Sequence, residues 1–156
     1  MLFKRWNIPL ILKRMIEALL IVSPAIMIVM PILFANASQE FVDTYTSSFS
    51  HNRWLTLAFL EVCGALCWMV LLMLQRLLTT VIRKSPFEQV NVKYLKLISY
   101  FCAGAALVLI VKTIVDFSVL TPVVAVISLL ASFFCQVLAA VFDKAIRIKN
   151  ENDLTI

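Results

Sequence analysis

Polar chemistry is scarce in this chain of 156 residues, which has two glycines, one histidine and nine acidic residues. A single histidine, His51, leaves no His-rich metal cluster and no Ser/His/Asp set, and two glycines leave no phosphate-cradling loop. No pair of carboxylates can be assembled for acid–base work either, so no enzyme activity, cofactor or metal site is expected. Charged residues make up only 15% of the chain, too few to cover a water-soluble surface. What fills the space is apolar. Hydrophobic residues reach 62% and mean hydropathy is +0.97, well beyond the roughly half-apolar mix of a soluble domain.

That apolar content falls into runs of membrane length. A hydrocarbon core of ~30 Å takes about 20 helical residues per crossing, and four stretches qualify: Met15–Ala35, Trp54–Leu74, Leu95–Val115 and Thr121–Val141. They use up the chain, so the expected fold is all-α, a single membrane domain of four transmembrane helices over 1–156, with a tail at 142–156. The helices should pack antiparallel in sequence order, with the longest connection after the first.

The net charge of +5 invites a nucleic-acid reading, but the cations are arranged for a membrane. Lys4, Arg5, Lys13 and Arg14 precede the first span; Arg76, Arg83, Lys84, Lys93 and Lys96 surround the middle connection; Lys144, Arg147 and Lys149 follow the fourth. Only Arg53 and Lys112 lie on the other side, a split of 12 against 2. Cytoplasmic loops retain Lys and Arg, which predicts both termini inside a cell membrane. Those cations would rest on anionic lipid headgroups. Direct binding of nucleic acid is not expected.

Local signals refine the layout. The basic start, the apolar run and Ala35-Asn36-Ala37 imitate a signal peptide, yet a run of about 20 exceeds the ~7–15 residues of an h-region, so an uncut span is expected. Phe3, Trp6, Leu10 and Ile11 among the first cations suit the interface. Pro24 and Pro31, seven apart, should bend or end the first helix. The loop 36–53 holds the sequon Asn36-Ala37-Ser38 and His51, but nothing in it specifies a ligand. Ser85-Pro86-Phe87-Glu88 reads as a capping box, predicting a helix from Pro86.

Within the spans, Ala103-Gly104-Ala105-Ala106 should let another backbone approach closely. Ser128, Ser132, Cys135, Gln136, Ala139 and Asp143 form a small and polar stripe expected to face the bundle interior. Cys63, Cys67, Cys102 and Cys135 all fall inside spans, where Cys packs as a small apolar residue.

Two ionisable residues lie clearly within spans. Glu61 is ~10 Å below the outer interface and Lys112 ~5 Å, at 1.5 Å per residue. A lone charge at the bilayer centre costs about 2.5–3.5 kcal/mol on insertion scales. Glu61 and Lys112 are therefore a candidate intramembrane pair. Two alternatives stay open: Lys112 snorkels or meets Asp116 while Glu61 is protonated, or Glu61 is a proton or cation site. Glu17, four residues after Lys13, is expected to be a satisfied surface charge.

Ala140-Val141-Phe142-Asp143-Lys144-Ala145, the ending Glu151-Asn152-Asp153-Leu154-Thr155-Ile156, Ser85-Pro86-Phe87 and Asn91 together resemble the bacterial membrane family catalogued as domain of unknown function 2975. The likeness extends over the whole four-helix layout, with the ending its most specific part. Many relatives carry glycines at the middle turn and after the tail Phe, and this chain has none there. The resemblance implies an integral membrane protein with no established activity. It also implies a partner, because family members are often encoded beside a very small helix-turn-helix protein of the Cro/repressor type.

Three functions are compatible with these features. The first is a sensor or tether for such a regulator, docked by the basic middle loop and the tail, with Glu151, Asn152, Asp153, Leu154 and Ile156 as contacts. The second is protection against a membrane-active peptide, recognised by the loop 36–53. The third, weakest for want of an inverted repeat, is a small transporter centred on Glu61. Self-association into a homo-oligomer is left open.

Overall fold

The computed structural model describes residues 7–36, 53–82, 88–115 and 120–153. Among these the chain is almost wholly helical and contains no strand. The four helices are α1 (Asn7–Asn36), α2 (Arg53–Ile82), α3 (Gln89–Val115) and α4 (Leu120–Asp153). Each is long and apolar enough to cross a membrane. Along all four, large apolar side chains face outwards: Ile21 is 73% exposed, Ile114 80% and Phe134 64%. Such exposure would be ruinous in water and is what a lipid solvent requires.

Each helix packs on the next in sequence, most extensively α3 on α4, then α2 on α3, then α1 on α2, while non-consecutive helices barely meet. Neighbours run antiparallel, because facing positions rise along one helix as they fall along the other. Gln89 meets Asp143 and Ser99 meets Ser132; Leu20 meets Trp68 and Met27 meets Gly64. The start of α1, the end of α2, the start of α3 and the end of α4 thus share one end of the bundle. That is the end where the basic residues are concentrated.

The helices are longer than the apolar runs alone suggest. α4 has 34 residues, ~51 Å at 1.5 Å per residue, so the segment expected as a tail is mostly a helical extension to Asp153. The start of α3 also differs from the expected Pro86. Ser85, Pro86 and Phe87 lie outside the described residues, and Glu88 precedes the helix rather than sitting inside it. Its carbonyl accepts from the Asn91 N–H at 3.0 Å, a tightened first turn that satisfies one orphan donor.

α1 stays helical through both prolines, so neither ends it. Pro24 deprives the Leu20 carbonyl of its usual donor four residues on. The Trp68 indole N–H on α2 donates to that carbonyl at 3.4 Å, the kind of replacement bond that makes proline tolerable in a membrane helix.

The best-buried core lies toward the basic end. Val92 and Leu95 of α3 and Ala139 and Ile146 of α4 are buried together, with Leu77, Leu138 and Phe142 packed against them. Ala106, 1% exposed, is the buried member of the small-residue run in α3. Gly104 is not a tight contact, since a Cβ there would lie 4.0 Å from Leu66. Gly64 is tighter: a Cβ would come within 3.3 Å of Met27.

Candidate functional site

The polar groups of the described helices fall into three places. The first is the seam between α3 and α4. Ser99 and Ser132 are 0% and 4% exposed, with their hydroxyls 3.0 Å apart, and the Ser132 hydroxyl also lies 2.9 Å from the Ser99 carbonyl. Two bonds formed away from water tie the helices at one level. Nearer the basic end, Gln89 Nε2 donates to Asp143 Oδ1 at 3.3 Å. Arg147 Nε lies 3.3 Å from the other Asp143 oxygen, an i,i+4 pair on α4.

The stripe expected to face inwards divides on this seam. Ser132 and Ala139 are buried, and Cys135 and Asp143 are half-buried. Gln136 is instead exposed, and the Ser128 hydroxyl donates to the Val124 carbonyl of its own helix at 2.9 Å. Gln136 stands at the edge of the stripe, roughly 60° around the helix from Ala139, and turns outwards.

The second place is the far half of the bundle, with the two intramembrane charges. Lys112 is 9% exposed and lies within electrostatic reach of Cys63 on α2. Glu61 is half-buried and shares a face with Gly64 and Trp68, three and seven residues on. That face meets Met27 and Leu20 of α1. At 3.6 residues per turn, Glu61 is roughly 160° around α2 from Cys63. The structure thus sets Glu61 on the face of α2 that meets α1. Asp116, the other acidic group considered for Lys112, lies outside the described residues, as does His51.

Cys63 and Cys67 lie on α2, Cys102 on α3 and Cys135 on α4. All four cysteines are free thiols. Lys13 and Glu17 form the expected surface pair at 3.7 Å.

The third place is the projecting end of α4. Gln89, at the start of α3, is level with Asp143, and α4 continues ten residues beyond it to Asp153, ~15 Å. Arg147, Ile148, Lys149, Asn150 and Glu151 are exposed there. Glu151, Asn152 and Asp153, read as docking residues, belong to the last turn of this helix. Leu154 and Ile156 lie outside the described residues.

Two polar notches flank α3 at the same end. One, of about 410 Å³, lies between α3 and α4 and is lined by Lys96, Tyr100, Gln136, Ala139, Ala140 and Asp143. The other, of about 420 Å³, lies between α2 and α3 and is lined by Gln75, Arg76, Thr79 and Tyr94. Sequence reasoning found Asp143 but neither notch, because no periodicity reveals where two lipid-facing edges meet. It also missed Ser99 and Trp68, each a single polar group in an apolar run, recognisable only from its partner.

The family described as "Protein of unknown function (DUF2975)" matches residues 38–156. The chain belongs to this family. The match takes in α2, α3 and α4 and begins after α1, so it covers less than the whole four-helix layout expected from the resemblance. Searches of curated proteins and of solved structures returned no match. Within the DUF2975 region lie the Ser99–Ser132 seam, both notches and the projecting end of α4. The α1 helix, resting on Gly64 and Trp68, precedes the matched region.

Proposed function

We propose that this DUF2975 protein is a non-enzymatic sensor or tether that holds a small helix-turn-helix regulator against the cytoplasmic face of the cell membrane. The observation that carries the proposal is the helical extension of α4 past Asp143 to Asp153. A tail would have to be ordered on binding, at an entropic cost; a helix already formed presents its side chains in fixed register. Lys144, Arg147 and Glu151 share one face of this extension, at i, i+3 and i+7. Orientation is argued from the sequence, in which 12 of the 14 basic residues flank the spans on the side of the two termini and the middle connection. The nature of the partner is what the family resemblance implies.

The test is co-purification of a small helix-turn-helix regulator, identified by mass spectrometry, from native membranes carrying the full chain or a chain lacking Glu151–Ile156. Recruitment should be lost in the shortened chain while its membrane level stays unchanged. Equal recruitment by both removes the projecting helix end as the docking element. A fluorescent reporter fused after Ile156 should mature inside the cell; one accessible from outside would reverse every surface assigned here.

A further inference from the structure

We propose that the notch between α3 and α4 is a binding site for the headgroup of an aminophospholipid, one bearing a phosphate and a primary ammonium. The notch is polar where its surroundings are apolar. Tyr100 is 66% exposed, and Lys96, Gln136 and Ala140 are exposed beside it, on helices whose other outward residues there include Leu97, Phe133 and Val137. None of the described helices covers this edge. An exposed glutamine within an apolar span costs free energy unless a partner satisfies its amide. Ala139 and Ala140 leave the recess because neither side chain extends beyond Cβ.

The polar groups are ordered by depth as a phospholipid is. Asp143 is outermost, level with the start of α3. Lys96 lies two turns into α3, and its long stem can carry the ammonium outwards to phosphate level. Gln136, two turns in from Asp143 on α4, is level with Lys96, and Tyr100 lies one turn deeper; there the ester carbonyls of the glycerol would accept their N–H and O–H groups. In this arrangement Lys96 holds the phosphate and Asp143 the lipid ammonium. Arg147, whose side chain is 74% exposed, is held to Asp143 only by a surface pair of low value and can turn to the phosphate. The volume of about 410 Å³ is that of a small-molecule site, enough for a headgroup with the acyl chains left in the bilayer.

The α2–α3 notch supplies an internal control. It repeats the cation, tyrosine and glutamine as Arg76, Tyr94 and Gln75, but among the described residues no carboxylate lines it. It has the means to hold phosphate and none to select an ammonium. Selection between headgroups therefore belongs to Asp143.

The experiment is native mass spectrometry of the delipidated full chain with phosphatidylethanolamine, phosphatidylcholine or phosphatidylglycerol of matched acyl chains. Phosphatidylethanolamine should be retained about tenfold more tightly than phosphatidylcholine, whose quaternary ammonium cannot donate, the size of one charge-assisted hydrogen bond. Asp143→Asn should abolish that preference while leaving phosphatidylcholine binding unchanged; Lys96→Gln should weaken both lipids alike; Arg76→Gln should leave the preference intact. Equal retention of the two lipids by the unmodified chain, which needs no variant to fold, overturns the proposal. So does a preference that survives Asp143→Asn, or phosphatidylglycerol displacing phosphatidylethanolamine at equal concentration.

Discussion

α3 and α4 meet through side chains that bond to each other across the seam, Ser99 to Ser132 and Gln89 to Asp143. α1 and α2 meet through a proline-freed carbonyl answered by Trp68 and a glycine pressed by Met27. The buried apolar residues divide the same way: among the described residues α3 contributes Val92, Leu95, Ile98 and Ala106, whereas α1 and α2 contribute Ile16 and Leu57. In lipid there is no hydrophobic drive between helices, so association rests on close packing and interhelical hydrogen bonds. One hairpin uses both in quantity; the other uses little of either.

The contrast can be broken most forcefully by overpacking. Ala139→Phe, at a site 1% exposed, should cost ~1–3 kcal/mol in reversible unfolding from mixed micelles. Ala25→Phe on α1, where Ala25 is exposed, should be silent. Equal effects would erase the difference between the hairpins. Next in size, Ser132→Ala removes both seam bonds and should cost roughly 0.6–1.7 kcal/mol. Ser128→Ala, which loses only a bond to its own helix, should change little by the same measurement.

The α1–α2 contact has its own test. Trp68→Phe leaves the Leu20 carbonyl without its indole donor and should cost about 0.6 kcal/mol. In a Pro24→Ala background the substituted alanine restores a backbone N–H for that carbonyl, so the cost of Trp68→Phe should shrink. A double-mutant cycle with no coupling would dismiss the Trp68–Pro24 compensation. Smallest of all, Gly104→Ala meets nothing nearer than 4.0 Å and should stay within about ±0.5 kcal/mol of wild type. A clear loss of stability would mean that α2 and α3 approach more closely than the structure has them.

Much of the architecture was legible in advance because length and hydropathy are properties of single segments. Four runs of bilayer length became four helices, and the Lys13–Glu17 pair followed from i,i+4 spacing alone. The outward faces of the small and polar stripe on α4 were not legible. Whether Gln136 or Ser132 meets α3 depends on the width of the neighbouring helix, which the sequence of α4 does not contain. The same holds for Glu61: its depth could be counted from Trp54, but the neighbour its face meets is fixed by where α1 and α3 dock around α2. The capping box placed a helix start near the right residue and missed its position, since Glu88 sits ahead of the first turn and not within it.

The sequence by itself determined the solvent, the number of crossings and the end at which cations collect, because lipid partitioning and charge retention act on each segment separately. Only the tertiary structure decided which polar groups share a level: Ser99 with Ser132, Trp68 with the carbonyl above Pro24, Lys96 with Asp143 around one notch. Such meetings depend on the rotation and sliding of one helix against another. Those two freedoms are set by packing between segments, and no segment carries them alone.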